Sequence, residues 1–149
     1  MATPSKADTP ATYEDANLLL RLYELRREEK LRQARDWFGK SFHANTVEEF
    51  QKLCPFGSQE NAYFRMVSSY WEMAASFVTN GVLHRDLFVQ NSRELLFVWI
   101  RISDFIPAWR EQMGNPNIAR NLEALANGMI EDEKRNGSFE AFRKMVKGA

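Results

Sequence analysis

Two apolar rows run side by side at helical spacing between Gln59 and Asn80, and this pattern constrains the fold more than any other feature of the chain. Phe64, Val67, Trp71, Ala74, Ala75 and Val78 form one row, and Tyr63, Met66, Tyr70, Met73 and Phe77 form the other. Only a narrow polar stripe is left, carrying Arg65, Ser68, Ser69, Glu72, Ser76 and Thr79. A surface helix buries one stripe, so a helix this apolar is expected at the centre of an all-α domain, enclosed by other helices.

The flanking sequence supplies those helices. Thr12 with Asp15 three residues later resembles a capping box and opens a first helix expected over 13–38. Its second half narrows to Leu31, Ala34, Trp37 and Phe38, and Glu24–Arg27, Glu28–Arg32 and Arg32–Asp36 are spaced to pair along a solvated face. Thr46 and Glu49 mark a short helix that finishes near Cys54, because Pro55 disfavours helical geometry at the residue before it. Asn80-Gly81 terminates the central helix, and a short helical element is expected over 84–90, with Asp86 as its cap. Asn91 then caps a long helix carrying Leu95, Leu96, Val98, Trp99, Ile100, Ile102, Phe105, Ile106 and Trp109, which Pro107 kinks and Gly114 ends. Asn115-Pro116 opens a helix running to about Gly137, and Ser138 caps a last one through about Val146. The expectation is an antiparallel bundle of about six or seven helices over residues 12–149, with residues 1–11 as a flexible tail.

Charge and composition restrict the possible partners. Twenty Lys and Arg balance twenty Asp and Glu, so no global field draws the protein to nucleic acid or to an anionic membrane. The apolar stretch 95–109 is shorter than the roughly 20 residues a membrane span requires, and it contains Arg101, Asp104 and Pro107. Cys54 is the single cysteine, which excludes an intrachain disulfide; with no export signal at the N-terminus, a cytoplasmic protein is expected.

One motif imitates an enzyme. His84-Arg85-Asp86-Leu87-Phe88-Val89-Gln90-Asn91 fulfils the catalytic-loop pattern of protein kinases, and Asp104-Phe105 resembles the start of their metal-binding motif. Phosphoryl transfer also requires a glycine-rich nucleotide cradle and its lysine, and the sequence has neither; Ile106 stands where the metal-binding motif requires Gly. The motif is therefore read as coincidental. His43 and His84 lack metal-ligand spacing, no motif implies a cofactor, and Cys54 reads as an inert thiol.

Charges inside apolar helices form the remaining candidate site. Arg101 and Asp104 lie one turn apart, Glu72 lies on the polar stripe of the central helix, and a buried polar cluster of Glu72, Arg101 and Asp104 is expected if those helices are neighbours. The stretches YEDANLLLRLYELRREEKLRQARDWF, GSQENAYFRMVSSYWEMAASFVTNGVL and NSRELLFVWIRISDFIPAWRE resemble an uncharacterised bacterial family of small all-helical proteins. That resemblance implies the fold and no activity. Two functions remain open: a non-enzymatic interaction module whose partner is another protein or a second copy, docked through the mixed-charge first helix, and a small-molecule-binding or enzymatic bundle with a pocket between the third and fifth helices.

Overall fold

The structure, a computed structural model, describes residues 8–148. Among them are nine α-helices and no strand: α1 (Tyr13–Arg26), α2 (Glu29–Ser41), α3 (Val47–Leu53), α4 (Gln59–Thr79), α5 (Arg85–Asn91), α6 (Arg93–Ile102), α7 (Ile106–Met113), α8 (Arg120–Asn136) and α9 (Phe139–Gly148). The all-α expectation holds, with more and shorter helices. Residues 1–7 of the expected tail lie outside the described residues.

The central position of α4 follows from its two apolar rows. It packs against α2 on one side and α8 on the other, while α6 packs against α8 and α9. Phe64 and Trp71 on α4 are completely enclosed, as are Ala74 and Ala75. Phe42, Phe50, Phe64, Phe105 and Trp109 interlock at the α3–α7 end, with Phe50 stacked on Phe105 at 4.6 Å and edge-on to Trp109 at 4.9 Å. Among the described residues no helix is long and apolar enough to cross a membrane.

The helix expected over 13–38 is broken at Arg27 and Glu28, where the Glu28 backbone turns extended (ψ 140°) and its carboxylate accepts the Leu31 N–H at 3.0 Å. That bond holds the Glu28 carboxyl below its ordinary pKa. The reason for the break is a phase shift. At about 100° per residue, Leu31, Ala34 and Phe38 of an unbroken helix would point roughly 120–180° away from Leu22, yet all four are core residues. Turning the chain at Glu28 brings both sets to the same core.

Pro107 likewise produces a break where a kink was expected: α6 ends at Ile102, Ser103-Asp104-Phe105 form a turn, and Pro107 sits in the first turn of α7. There its missing N–H leaves no bond unmade. The last long helix also begins later than Asn115-Pro116 suggests. The Asn115 side chain instead accepts the Asn117 N–H at 2.9 Å, and α8 starts at Arg120 after Ala119, whose φ of 57° is left-handed.

Candidate functional site

The kinase-like motif is dismantled by its own hydrogen bonds. His84 is the N-cap of α5: its Nδ1 accepts the Leu87 N–H at 3.2 Å, so its Nε2 carries the proton and donates to the Thr9 carbonyl at 2.9 Å. The His84 N–H in turn donates to the buried Asp15 carboxylate at 3.0 Å. Arg85 reaches across to Asp132 on α8 at 2.8 Å, and this bond is the main cause holding the Asp132 carboxyl below its usual range. Asp86, expected as the cap, is an exposed first-turn residue 3.2 Å from Arg85, because His84 already occupies the capping position. Asn91 closes α5 by donating to the Leu87 carbonyl, and Ser92 takes the N-cap position of α6 with no side-chain bond.

Asp86→Ala is therefore expected to cost at most a few tenths of a kcal/mol, the size of an exposed first-turn charge effect, with no change in any phosphotransfer assay. A loss above about 1.5 kcal/mol in denaturant titration would mean that Asp86 is a true cap.

Glu72, Arg101 and Asp104 go to three different places. The Glu72 carboxylate accepts the backbone N–H groups of Asn121 and Leu122, at 3.2 and 2.9 Å, and the Asn121 side-chain amide at 2.7 Å, closing the start of α8. Arg101 is buried, and its Nε donates to the Val146 carbonyl at 2.9 Å and its Nη1 to the Phe42 carbonyl at 2.5 Å. Asp104 faces outward to Lys147 at 2.6 Å.

An apolar cleft of about 330 Å³ lies elsewhere, where α2, α4, α6 and α9 meet. Phe38 and Gly39 of α2, Val67 of α4, Phe97 and Val98 of α6 and Phe142 of α9 form its walls; Arg35, Arg93 and Glu94 complete the lining. Arg35 and Glu94 join α2 to α6 through two parallel bonds, Nε and Nη2 each 2.8 Å from a carboxylate oxygen, and this pairing raises the Arg35 pKa further. The Arg93 guanidinium lies 4.3 Å above the Phe142 ring and holds Glu133 through Nη2. None of these residues stood out as a site in the sequence. The available signal was Gly39, which looks like a helix end but continues α2 to Ser41, at a cost of up to about 1 kcal/mol relative to Ala.

A second groove, about 370 Å³, runs between α4 and α7 and is lined by Phe64, Ser68, Glu72 and Trp109 among others, so Glu72 borders a space between the third and fifth helices of the sequence reading. Its carboxylate is already committed to α8.

The outer face of α1 is the other unusual surface. Only Asp15 and Leu22 of its fourteen residues are buried, while Tyr13, Leu20, Tyr23 and Leu25 are exposed, Leu20 by 59% and Leu25 by 46%. A shallow groove along this face is bordered by Leu18, Leu20 and Leu25 and by the charges of Arg21 and Glu24.

The two remaining polar candidates are quiet. Burial pushes the Cys54 thiol up to about 12, far from a reactive thiolate, and lowers the His43 pKa. Among the described residues no three metal-ligating side chains converge.

Fold and surfaces together define a small all-helical protein that carries an apolar cleft and an incompletely covered N-terminal helix. The chain belongs to the family described as Domain of unknown function (DUF4760), whose model matches residues 11–129. The match takes in α1 to α7 and most of α8; Phe142, the α9 wall of the cleft, lies beyond it. No curated protein and no solved structure matches the chain.

Proposed function

We propose that this protein is a non-enzymatic interaction module that pairs with a second copy of itself through α1. The observation that carries the reading is the set of large apolar side chains that α1 leaves in solvent beside a charged seam. Asn17, Arg21 and Glu24 recur at spacings of four and three and so share one face of α1. In an antiparallel pair whose two-fold axis passes between Leu22 and Tyr23, Arg21 of each copy meets Glu24 of the other. Leu18 of one then lies near the level of Leu25 of the other. The seam is self-complementary in this direction, as an isologous interface requires.

The groups that hint at chemistry support a non-enzymatic role, since His84 and Glu72 are held in helix caps and Asp104 in an ion pair. A four-turn helix of about 21 Å offers less than a standard interface, so the dimer is expected to be weak and reversible.

Sedimentation equilibrium over a wide concentration range tests this. Arg21→Glu or Glu24→Arg alone should weaken self-association at least roughly tenfold, and the double exchange should restore it. A strict monomer at millimolar concentration, or single variants that associate like the parent, would overturn the proposal.

A further inference from the structure

Independently of α1, the geometry points to the cleft between α2 and α9 as a binding site for a small carboxylic acid with an apolar body. Gly39 is the first reason. A Cβ built on it meets nothing within 4 Å, and its φ is not among the left-handed ones, so neither crowding nor backbone conformation demands a glycine there. What the missing side chain provides is space: Gly39 lines the cleft, and any larger residue would project into the opening.

The second reason is the division of charge at the mouth. All three nitrogens of Arg35 are engaged, Nε and Nη2 on Glu94 and Nη1 on the Arg26 carbonyl at 3.1 Å. Arg93 is less committed: of its five N–H donors, the only described hydrogen bond is the one from Nη2 to Glu133, and its side chain is 55% exposed. A cation with donors to spare therefore stands at the rim, its flat face on Phe142, while the wall below it is aromatic and aliphatic. An anionic head on Arg93 with a hydrocarbon body against Phe97 and Phe142 uses both features. At a water's share of about 30 Å³ per heavy atom, 330 Å³ holds on the order of ten such atoms, the size of a medium-chain fatty acid or an aryl carboxylate.

Octanoate is the probe, with octanol as its neutral counterpart, followed by calorimetry and by NMR on the full chain. Octanoate is expected to bind saturably, one to one, with nuclear Overhauser contacts from its methylenes to the rings of Phe97 and Phe142. Octanol should bind roughly tenfold or more weakly, the value of one charge-assisted contact. Arg93→Gln should remove that preference and leave octanol unchanged. Gly39→Leu should abolish binding with the melting temperature kept, whereas Gly39→Ala should retain binding and melt higher. The ring contacts are read on the unmodified protein, so the test survives if Gly39→Leu fails to fold. No saturable binding at millimolar octanoate, unchanged binding in a folded Gly39→Leu, equal affinity for octanol, or indifference to Arg93→Gln would each overturn the assignment.

Discussion

Replacing Arg101 by Met is expected to lower the unfolding free energy by about 3 kcal/mol, even though it removes a charge that is costly to bury. The guanidinium lies in the last turn of α6, 3% exposed, and reaches the ends of two other helices. Nη1 donates to the carbonyl of Phe42, the C-cap of α2, and more distantly to that of Phe38; Nη2 approaches the Gly39 carbonyl at 3.4 Å; Nε takes the Val146 carbonyl in α9. The Phe38 carbonyl also accepts the Phe42 N–H, whereas those of Gly39, Phe42 and Val146 belong to final turns, whose carbonyls have no partner within their own helix. Arg101 thus acts as a shared C-cap, placing a cation at the negative ends of two helix dipoles and over the Phe97 ring at 4.8 Å. Desolvation pulls its pKa down, the opposing cost of that placement.

Met would fill similar volume but strand the carbonyls of Phe42 and Val146, at about 1–3 kcal/mol each before relief of the desolvation cost. Lys would keep the charge without the planar fork and is expected to recover less than half of the loss. Because Glu72 shares none of these partners, Glu72→Gln should add to Arg101→Met within about 0.5 kcal/mol. Urea titration with unchanged m-value measures all three variants. A cost below about 1 kcal/mol for Arg101→Met would sink the shared-cap reading.

What could be read from the sequence divides along the range of the interactions. Thr12 and Asp15 form a complete reciprocal capping box, and Thr46 caps α3, because a cap and its partner lie three residues apart and both are visible in a short window. The apolar rows of α4 were legible for the same reason. The break at Glu28 was also encoded, in the phase of Leu22 against Leu31 and Phe38, but a run of helix-forming residues with well-spaced charges hides it. Those charges made another choice: Glu28 became a cap, and Arg35 turned to Glu94, fifty-nine residues away.

Partners at that distance leave no local trace. Arg101 and Glu72 stood out as charges on apolar helices, yet nothing in their neighbourhoods indicates that one serves helix C-termini and the other a helix N-terminus. The cleft was hidden more completely, since its walls come from four helices and its most telling residue, Gly39, reads locally as a helix stop.

Glu72→Ala is expected to cost about 2–3 kcal/mol, more than an ordinary cap deletion. Helix α8 begins after Ala119, which has no side chain able to cap and sits at φ 57°, a conformation that costs a non-glycine residue about 1–2 kcal/mol. The first-turn N–H groups of Asn121 and Leu122 are therefore satisfied from another helix, by the two oxygens of Glu72. A carboxylate in this position also meets the positive end of the α8 dipole, while α8 packs along α4 and α6. Removing it leaves two donors without their acceptor and leaves the strain at Ala119 uncompensated. Glu72→Gln keeps one carbonyl oxygen and should lose about 1 kcal/mol, from the charge and one bond. Hydrogen exchange locates the effect: in Glu72→Ala the amides at the start of α8, Asn121 and Leu122 first, should lose more protection than those of α6. A loss below about 0.5 kcal/mol, with Asn121 and Leu122 as protected as in the parent, would show that α8 starts without help from Glu72.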